Sequence, residues 1–220
     1  MRVSLIEFTS NAAELLIFSK RTRLHMSADS YREIFSMSEE DKQKELSYIF
    51  NTIGSSWEFV DYTFMINDVS RAFTHQLVRH RAGVSFAQQS QRTVDMSGFN
   101  YHSSGATEKS EIYHQEMNRI RLAYNEMIDQ GIPPEDARGI LPTNVLTNIL
   151  MKINLRALSD MLKVRLCYRS QGEFRSVAEE LRRKVVEVHP WTGNILAPTC
   201  KRFGYCQFPN FTDCPRKQPQ

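Results

Sequence analysis

An α/β or α+β fold of antiparallel strands and long helices is what this sequence predicts, and three runs carry the prediction. In WEFVDYTFMI, Val60, Tyr62, Phe64 and Ile66 fall on one side of an extended chain and Trp57, Phe59, Asp61 and Thr63 on the other, the period of a strand. From Thr107 to about Gln130 the apolar residues Tyr113, Met117, Ile120, Tyr124 and Met127 recur at intervals of four, three, four and three, the stripe of one long amphipathic helix. SVAEELRRKVVEVH repeats that rhythm at Val177, Leu181, Val185 and Val188.

The remaining elements follow in chain order. MRVSLIEFT alternates as a first strand, and Asn11 is the expected cap of an AAELLIFSK helix. Ser38 with Glu39 and Glu40 opens a helix through Leu46, Ile49 and Phe50 that Gly54 stops. Asp68 or Ser70 caps a further helix. Gly131 and Pro133-Pro134 end the long helix. After Pro142, TNVLTNILMKIN has the β-branched content of a strand, with a helix as the alternative. ALSDMLKVRL reads as a helix, and His189-Pro190 closes the last one.

Composition narrows the classes. With 220 residues, 41% of them apolar, the chain can bury a core, and one domain over 1–195 with a Cys-containing extension over 196–220 is expected. A net charge of +3 is too small for a protein that coats nucleic acid or a membrane surface, so any anion site is local. The start, MRVSLIEFTSNAAELL, lacks a basic segment leading into an apolar run, and no stretch is long enough to span a bilayer; a cytoplasmic protein is expected. Neither G-x-G-x-x-G, a P-loop, G-x-S-x-G nor H-E-x-x-H occurs.

Chemistry concentrates in HQLVRHRAGVSFAQQSQR, from His75 to Arg92. Arg79, Arg81 and Arg92 stand there with Gln76, Gln88, Gln89, Ser90 and Gln91, beside Gly83, where backbone can approach a ligand. Guanidinium forks suit phosphate, and Gln amides read a base edge with one donor and one acceptor, so together they suit a nucleotide. The bland alternative is a solvated helix end with ordinary ion pairs. A second set supplies Arg138, Asn154, Arg156, Asp160, Arg165 and Arg169. Arg156 and Asp160 share a helical face, which reads most simply as a surface salt bridge. Arg165 lies among apolar neighbours in KVRLC and needs an acceptor or anion. Ser90 reads as a binder; a nucleophilic role beside His80 lacks a third, orienting acid.

VSRAFTHQLVRHR, the S-x-R at Ser90 to Arg92, AR-x-x-LP and NLRALSDMLKVRLCYRSQGEFR occur in the order found in flavin-dependent thymidylate synthases, which the chain resembles over roughly residues 50 to 190. The resemblance implies a twisted sheet, a homotetramer with shared active sites, and methylation of dUMP with methylenetetrahydrofolate as carbon donor, reduced FAD as hydride donor and NADPH as the flavin's reductant. It assigns dUMP contacts to Gln76, Arg79, Gln88, Gln89, Ser90, Gln91, Arg92 and Arg138, with Ser90 and Arg92 near the phosphate. Arg165 would face the pyrimidine and favour ionisation of N3. Flavin contacts fall to Ser55, Glu58, Arg79, His80, Arg81, Gln88, Asn154, Arg156 and Asp160. Eight residues, not seven, separate RHR from S-x-R; Thr93 follows where Tyr is usual; and Ile53 and Phe59 stand where two histidines are common.

Those departures admit hydroxymethylation of dUMP or dCMP as an alternative, and a nucleic-acid-binding module is the alternative from another class. Cys167, Cys200, Cys206 and Cys214 have no C-x2-C spacing; free thiols are the default and a four-thiolate zinc site the alternative. His25, His102 and His114 read as surface or capping histidines, Trp57 and Trp191 as core or subunit contacts.

Overall fold

A computed structural model describes residues 1–24, 26–52 and 54–217; His25 and Ile53, noted above, lie outside the described residues. The chain runs β1 (Arg2–Phe8), α1 (Ala12–Lys20), α2 (Ala28–Phe35), α3 (Glu39–Thr52), β2 (Asp61–Ser70), α4 (Arg71–Leu77), β3 (Val84–Gln88), α5 (Glu111–Asp129), α6 (Pro134–Ala137), β4 (Leu146–Asn154), α7 (Leu155–Arg165), α8 (Gly172–Val188) and α9 (Thr199–Phe203). The strands form one sheet, antiparallel as the sequence predicts, in the order β1-β2-β4-β3. The chain groups into two compact units: one of residues 1–2, 65–79 and 86–150, the other of 3–64, 80–85 and 151–220.

In the first unit the stripe predicted for α5 is real, but the helix begins at Glu111 rather than Thr107. Ser110 accepts the Tyr113 N–H at 3.3 Å and caps it, and Gly131 at φ +82 turns the chain away afterwards. Tyr124 joins Met96, Phe99, Ala137 and Val145 in a core ringed by Ile120, Met127 and Leu141. Ser70, not Asp68, caps α4, accepting the Phe73 N–H at 2.9 Å.

In the second unit Asn11 stands at the start of α1 without making a side-chain cap; the Thr9 hydroxyl instead accepts the Asp61 N–H at 3.0 Å. Ser38 does cap α3, accepting the Asp41 N–H at 3.1 Å. Trp57 and Phe59, read as strand residues, lie in a 3₁₀ turn over Gly54–Phe59, and β2 starts at Asp61. Trp57 is buried against Phe50, edge to face at 5.6 Å between ring centroids. α7 buries Leu155, Leu158, Met161 and Leu162, and α8 buries Phe174, Val177, Leu181 and Val185, the faces their periodicities require.

Candidate functional site

The first unit gathers Gln76, Arg79, Gln88, Gln89, Ser90, Gln91, Arg92 and Arg138. Three pieces of backbone hold them. The loop leaving β3 is pinned to α4 and β4: Gln88 Nε2 donates to Thr74 Oγ1 at 3.0 Å, Gln89 N–H to the Asn148 carbonyl at 2.9 Å, and Asn148 Nδ2 to Gln89 Oε1 at 2.6 Å. The same loop is pinned to the α6 turn, where Arg92 Nε and Nη2 both lie 3.0 Å from Glu135 Oε2. Arg138 follows Glu135 by one turn and donates from Nε to its carbonyl at 3.0 Å. Ser90 Oγ accepts the Arg92 N–H at 3.1 Å, closing a local turn. Gln88, Gln89 and Gln91 are half-buried, whereas Arg79, Ser90 and Arg92 are exposed. The bland expectation of one solvated helix end is therefore corrected: α4 ends at Leu77, and the polar run continues through a strand into an ordered loop.

Because Glu135 holds Arg92, Glu135→Gln releases that guanidinium and removes a negative charge beside any bound anion. Affinity for a nucleoside monophosphate is expected to rise about two- to fivefold, as an exposed pair of this kind is worth under about 1 kcal/mol; isothermal titration reads it directly.

The second unit gathers Ser55, Glu58, His80, Arg81, Asn154, Arg156, Asp160 and Arg165. Asn154 caps α7 with its side chain, accepting the Ala157 N–H at 2.9 Å, while its own N–H donates to the Gly83 carbonyl at 3.0 Å. Gly83 has φ +68, and a Cβ there would meet Asn154 Nδ2 at 2.4 Å. What crowds Gly83 is thus the Asn154 amide. The predicted Arg156–Asp160 pair is corrected: Arg156 Nη1 lies 2.6 Å from Glu58 Oε1, and Asp160 pairs with Lys163 at 2.7 Å. Ser55, Glu58, Phe59 and Arg81 are exposed.

Arg165 ends α7 with its guanidinium 4.3 Å over the ring of the fully buried Phe174, and its Nε donates to His80 Nε2 at 3.5 Å. His80 in turn stands edge-on to Phe174. His80 is one acceptor of the kind that KVRLC demands, and Phe174 and Thr74 are members of these clusters that residue type did not single out. Burial first, and the Arg165 charge second, hold the His80 imidazole below its ordinary pKa, so it is neutral and able to accept. Burial likewise lowers His189, whose Nδ1 lies 2.9 Å from the Tyr62 hydroxyl. Both histidines bind a proton less readily folded than unfolded, so their stabilisation is present above the ordinary value near 6.5 and is lost as pH falls below it. Melting temperature is expected to be level between pH 7 and 8 and to fall from about pH 6.5 downward; a flat profile to pH 5 contradicts this.

Cys167, Cys200, Cys206 and Cys214 are all free thiols, yet all four line one cavity of about 30 Å³ beside Phe208 and Phe211. Among the described residues no group of three or more His, Cys, Asp or Glu is arranged to hold a metal. Thiol titration of denatured protein prepared without reductant is expected to count four; a count of two would mean a disulfide.

His114 packs as a capping histidine, its Nδ1 2.7 Å from the Tyr101 hydroxyl and its Nε2 2.9 Å from the Glu108 carbonyl. No helix of the described residues is long and apolar enough to cross a membrane.

A family model described as thymidylate synthase complementing protein matches residues 4–191. The chain is 34% identical to the flavin-dependent thymidylate synthase of Pyrococcus furiosus, covering 94% of this chain and 89% of that one. It is 34% identical to proteins of the same name from Geobacter sulfurreducens, over 91% and 88%, and Nitratidesulfovibrio vulgaris, over 93% and 90%. Polar residues on the β3 loop and the α6 turn, a stacked arginine closing α7, and a match this long converge on one assignment: the chain belongs to the flavin-dependent thymidylate synthase family.

Proposed function

We propose that this protein methylates dUMP to dTMP, taking the carbon from methylenetetrahydrofolate and using FAD with NADPH as reductant. The observation that carries the reading is the ordered assembly of the Gln88–Arg92 loop, the Arg138 turn and α4 within one unit, with Arg165 held over Phe174 in the other. Residues 1–195 serve as the catalytic domain and 196–220 as an extension, and the working form is a cytoplasmic homotetramer.

The nucleotide phosphate takes Ser90, Arg92 and Arg138, and Arg92 needs only to exchange the Glu135 carboxylate for a second, stronger anion. Half-buried Gln amides of the same loop supply base and sugar contacts with matched donors and acceptors. Arg165 faces the pyrimidine. Its permanent charge favours the N3-ionised base and stabilises negative charge developing on the carbonyl as carbon adds across the 5,6 bond. Phe174 fixes the plane of that guanidinium and His80, neutral, fixes its rotation, so little reorganisation remains at the moment of reaction.

The second unit's donors fit a flavin dinucleotide: the Arg81 guanidinium suits a diphosphate, and the Asn154 amide, held by its cap, suits a polar ring edge. When bound, the flavin supplies the redox equivalents, so no protein nucleophile is needed. The purified protein is expected to be yellow, with a visible flavin spectrum that dUMP perturbs at lower concentration than dCMP. A colourless protein that binds polynucleotides with steep salt dependence would overturn the reading.

A further inference from the structure

Gln88 closes β3 with its side chain against two buried threonines of the first unit, Thr74 in α4 and Thr147 in β4. Its Nε2 donates to Thr74 Oγ1 at 3.0 Å and, over the longer distance of 3.5 Å, to Thr147 Oγ1, so each amide hydrogen has a hydroxyl oxygen before it. The Thr74 hydroxyl gives its own hydrogen to the Arg71 carbonyl at 3.1 Å, one turn back along α4. Toward Gln88 it can therefore only accept, and an amide turned the other way would set carbonyl oxygen against hydroxyl oxygen. What Gln88 then offers a ligand is Oε1. Gln89 is held the opposite way: Asn148 Oδ1 accepts the Asp68 N–H at 3.1 Å, which leaves Asn148 Nδ2 to donate to Gln89 Oε1 at 2.6 Å. Gln89 thus presents its NH₂ group, and the guanidinium groups of Arg79, Arg92 and Arg138 are donors as well. Gln88 Oε1 is an acceptor set among donors. A deoxyuridine monophosphate carries two donors on its nucleoside part that could meet it, the 3′-hydroxyl of the sugar and the N3–H of the neutral base.

We propose that Thr74 is a positioning residue for substrate recognition: by fixing the Gln88 amide it makes that side chain an acceptor alone, and so selects nucleotides that carry a matching donor on the nucleoside. The inference rests on the nucleotide reading above and adds to it a buried residue, remote from the ligand, that sets the sense of one contact. A site built to accept a particular O–H or N–H discriminates against analogues that lack it, because its own polar atom is then left unpaired.

The test titrates the flavin-loaded holoenzyme with dUMP, with 2′,3′-dideoxy-UMP, which lacks the 3′-hydroxyl, and with N3-methyl-dUMP, which lacks N3–H. Wild type is expected to bind at least one analogue more weakly than dUMP. Thr74→Val removes the hydroxyl and frees the Gln88 amide to rotate. It should weaken dUMP about three- to tenfold, the range for one neutral hydrogen bond, while an analogue without the matching donor stays within about twofold of its wild-type affinity. The analogue whose deficit disappears in this way names the donor. Thr74→Ser keeps the hydroxyl and should bind dUMP within about twofold of wild type. Gln88→Ala should lose the same factor as Thr74→Val, and the double variant no more than Gln88→Ala alone. A hydroxyl needed only for stability would lower the melting temperature without changing the ratio of dUMP to analogue affinity, so an unchanged ratio in Thr74→Val overturns the proposal. Equal weakening of dUMP and both analogues does the same, as does a Thr74→Ser variant that behaves like Thr74→Val. If Gln88→Ala weakens dUMP and Thr74→Val does not, only this inference falls; if the wild-type holoenzyme binds no dUMP, the proposed function falls with it.

Discussion

Arg165→Ala is expected to lower kcat for nucleotide methylation by about 10²–10³, the usual cost of deleting one preorganised donor aimed at developing negative charge. Structure explains why so much rests on one side chain. Among the neighbours from elsewhere in the chain that place Arg165 are the Phe174 ring beneath its guanidinium at 4.3 Å and the His80 ring at its Nε. Lysine cannot reproduce a stacked, planar donor set, so Arg165→Lys should recover only a small part of the loss. Because the proposed role places the charge against the base and not the phosphate, the defect should appear in kcat more than in dUMP affinity. Stopped-flow and steady-state assays on the flavin-loaded variant give both numbers, and a kcat within about threefold of wild type would remove the role.

Gly83→Ala should be the most disruptive single-methyl change in the chain. At φ +68 a Cβ costs about 1–2 kcal/mol on its own. Here it would also meet the Asn154 side chain at 2.4 Å, and moving that amide breaks its bond to the Ala157 N–H. Losing the α7 cap costs about a further 1 kcal/mol. Asn154 belongs to the proposed flavin contacts, so the variant should melt several degrees lower and also retain less flavin on purification. A counter-substitution, Gly83→Ala with Asn154→Ser, keeps a capping hydroxyl and makes room. It should regain part of the stability. A single Gly83→Ala variant that melts like wild type would show that the close approach is not maintained in solution.

Legibility followed the strength of local patterns. Tyr62, Phe64 and Ile66 announced β2 because one face of that strand is wholly buried. β3 went unforeseen because Val84–Gln88 alternates only between half-buried and exposed residues, leaving no apolar face to read. α2 was missed for a similar reason, burying Ile34 alone. Trp57 and Phe59 continue the alternation into residues that form a 3₁₀ turn, since period-two spacing does not mark where a strand begins. Site chemistry was legible where residue types cluster along the chain, as from Gln76 to Arg92. It was not legible where partners are remote. Arg156 has Asp160 one turn away, but its partner is Glu58, ninety-eight positions distant. Likewise Phe174 looks like any core residue of α8 until Arg165 is seen lying over it.

The chemistry itself is tested most directly by incubating the purified protein with dUMP, methylenetetrahydrofolate and NADPH under anaerobic conditions and weighing the nucleotide product by mass spectrometry. A gain of one methyl, giving dTMP, with loss of that product in Arg165→Ala, is the expected result. Hydroxymethyl-dUMP, or conversion of dCMP while dUMP is returned unchanged, would contradict the proposed reaction.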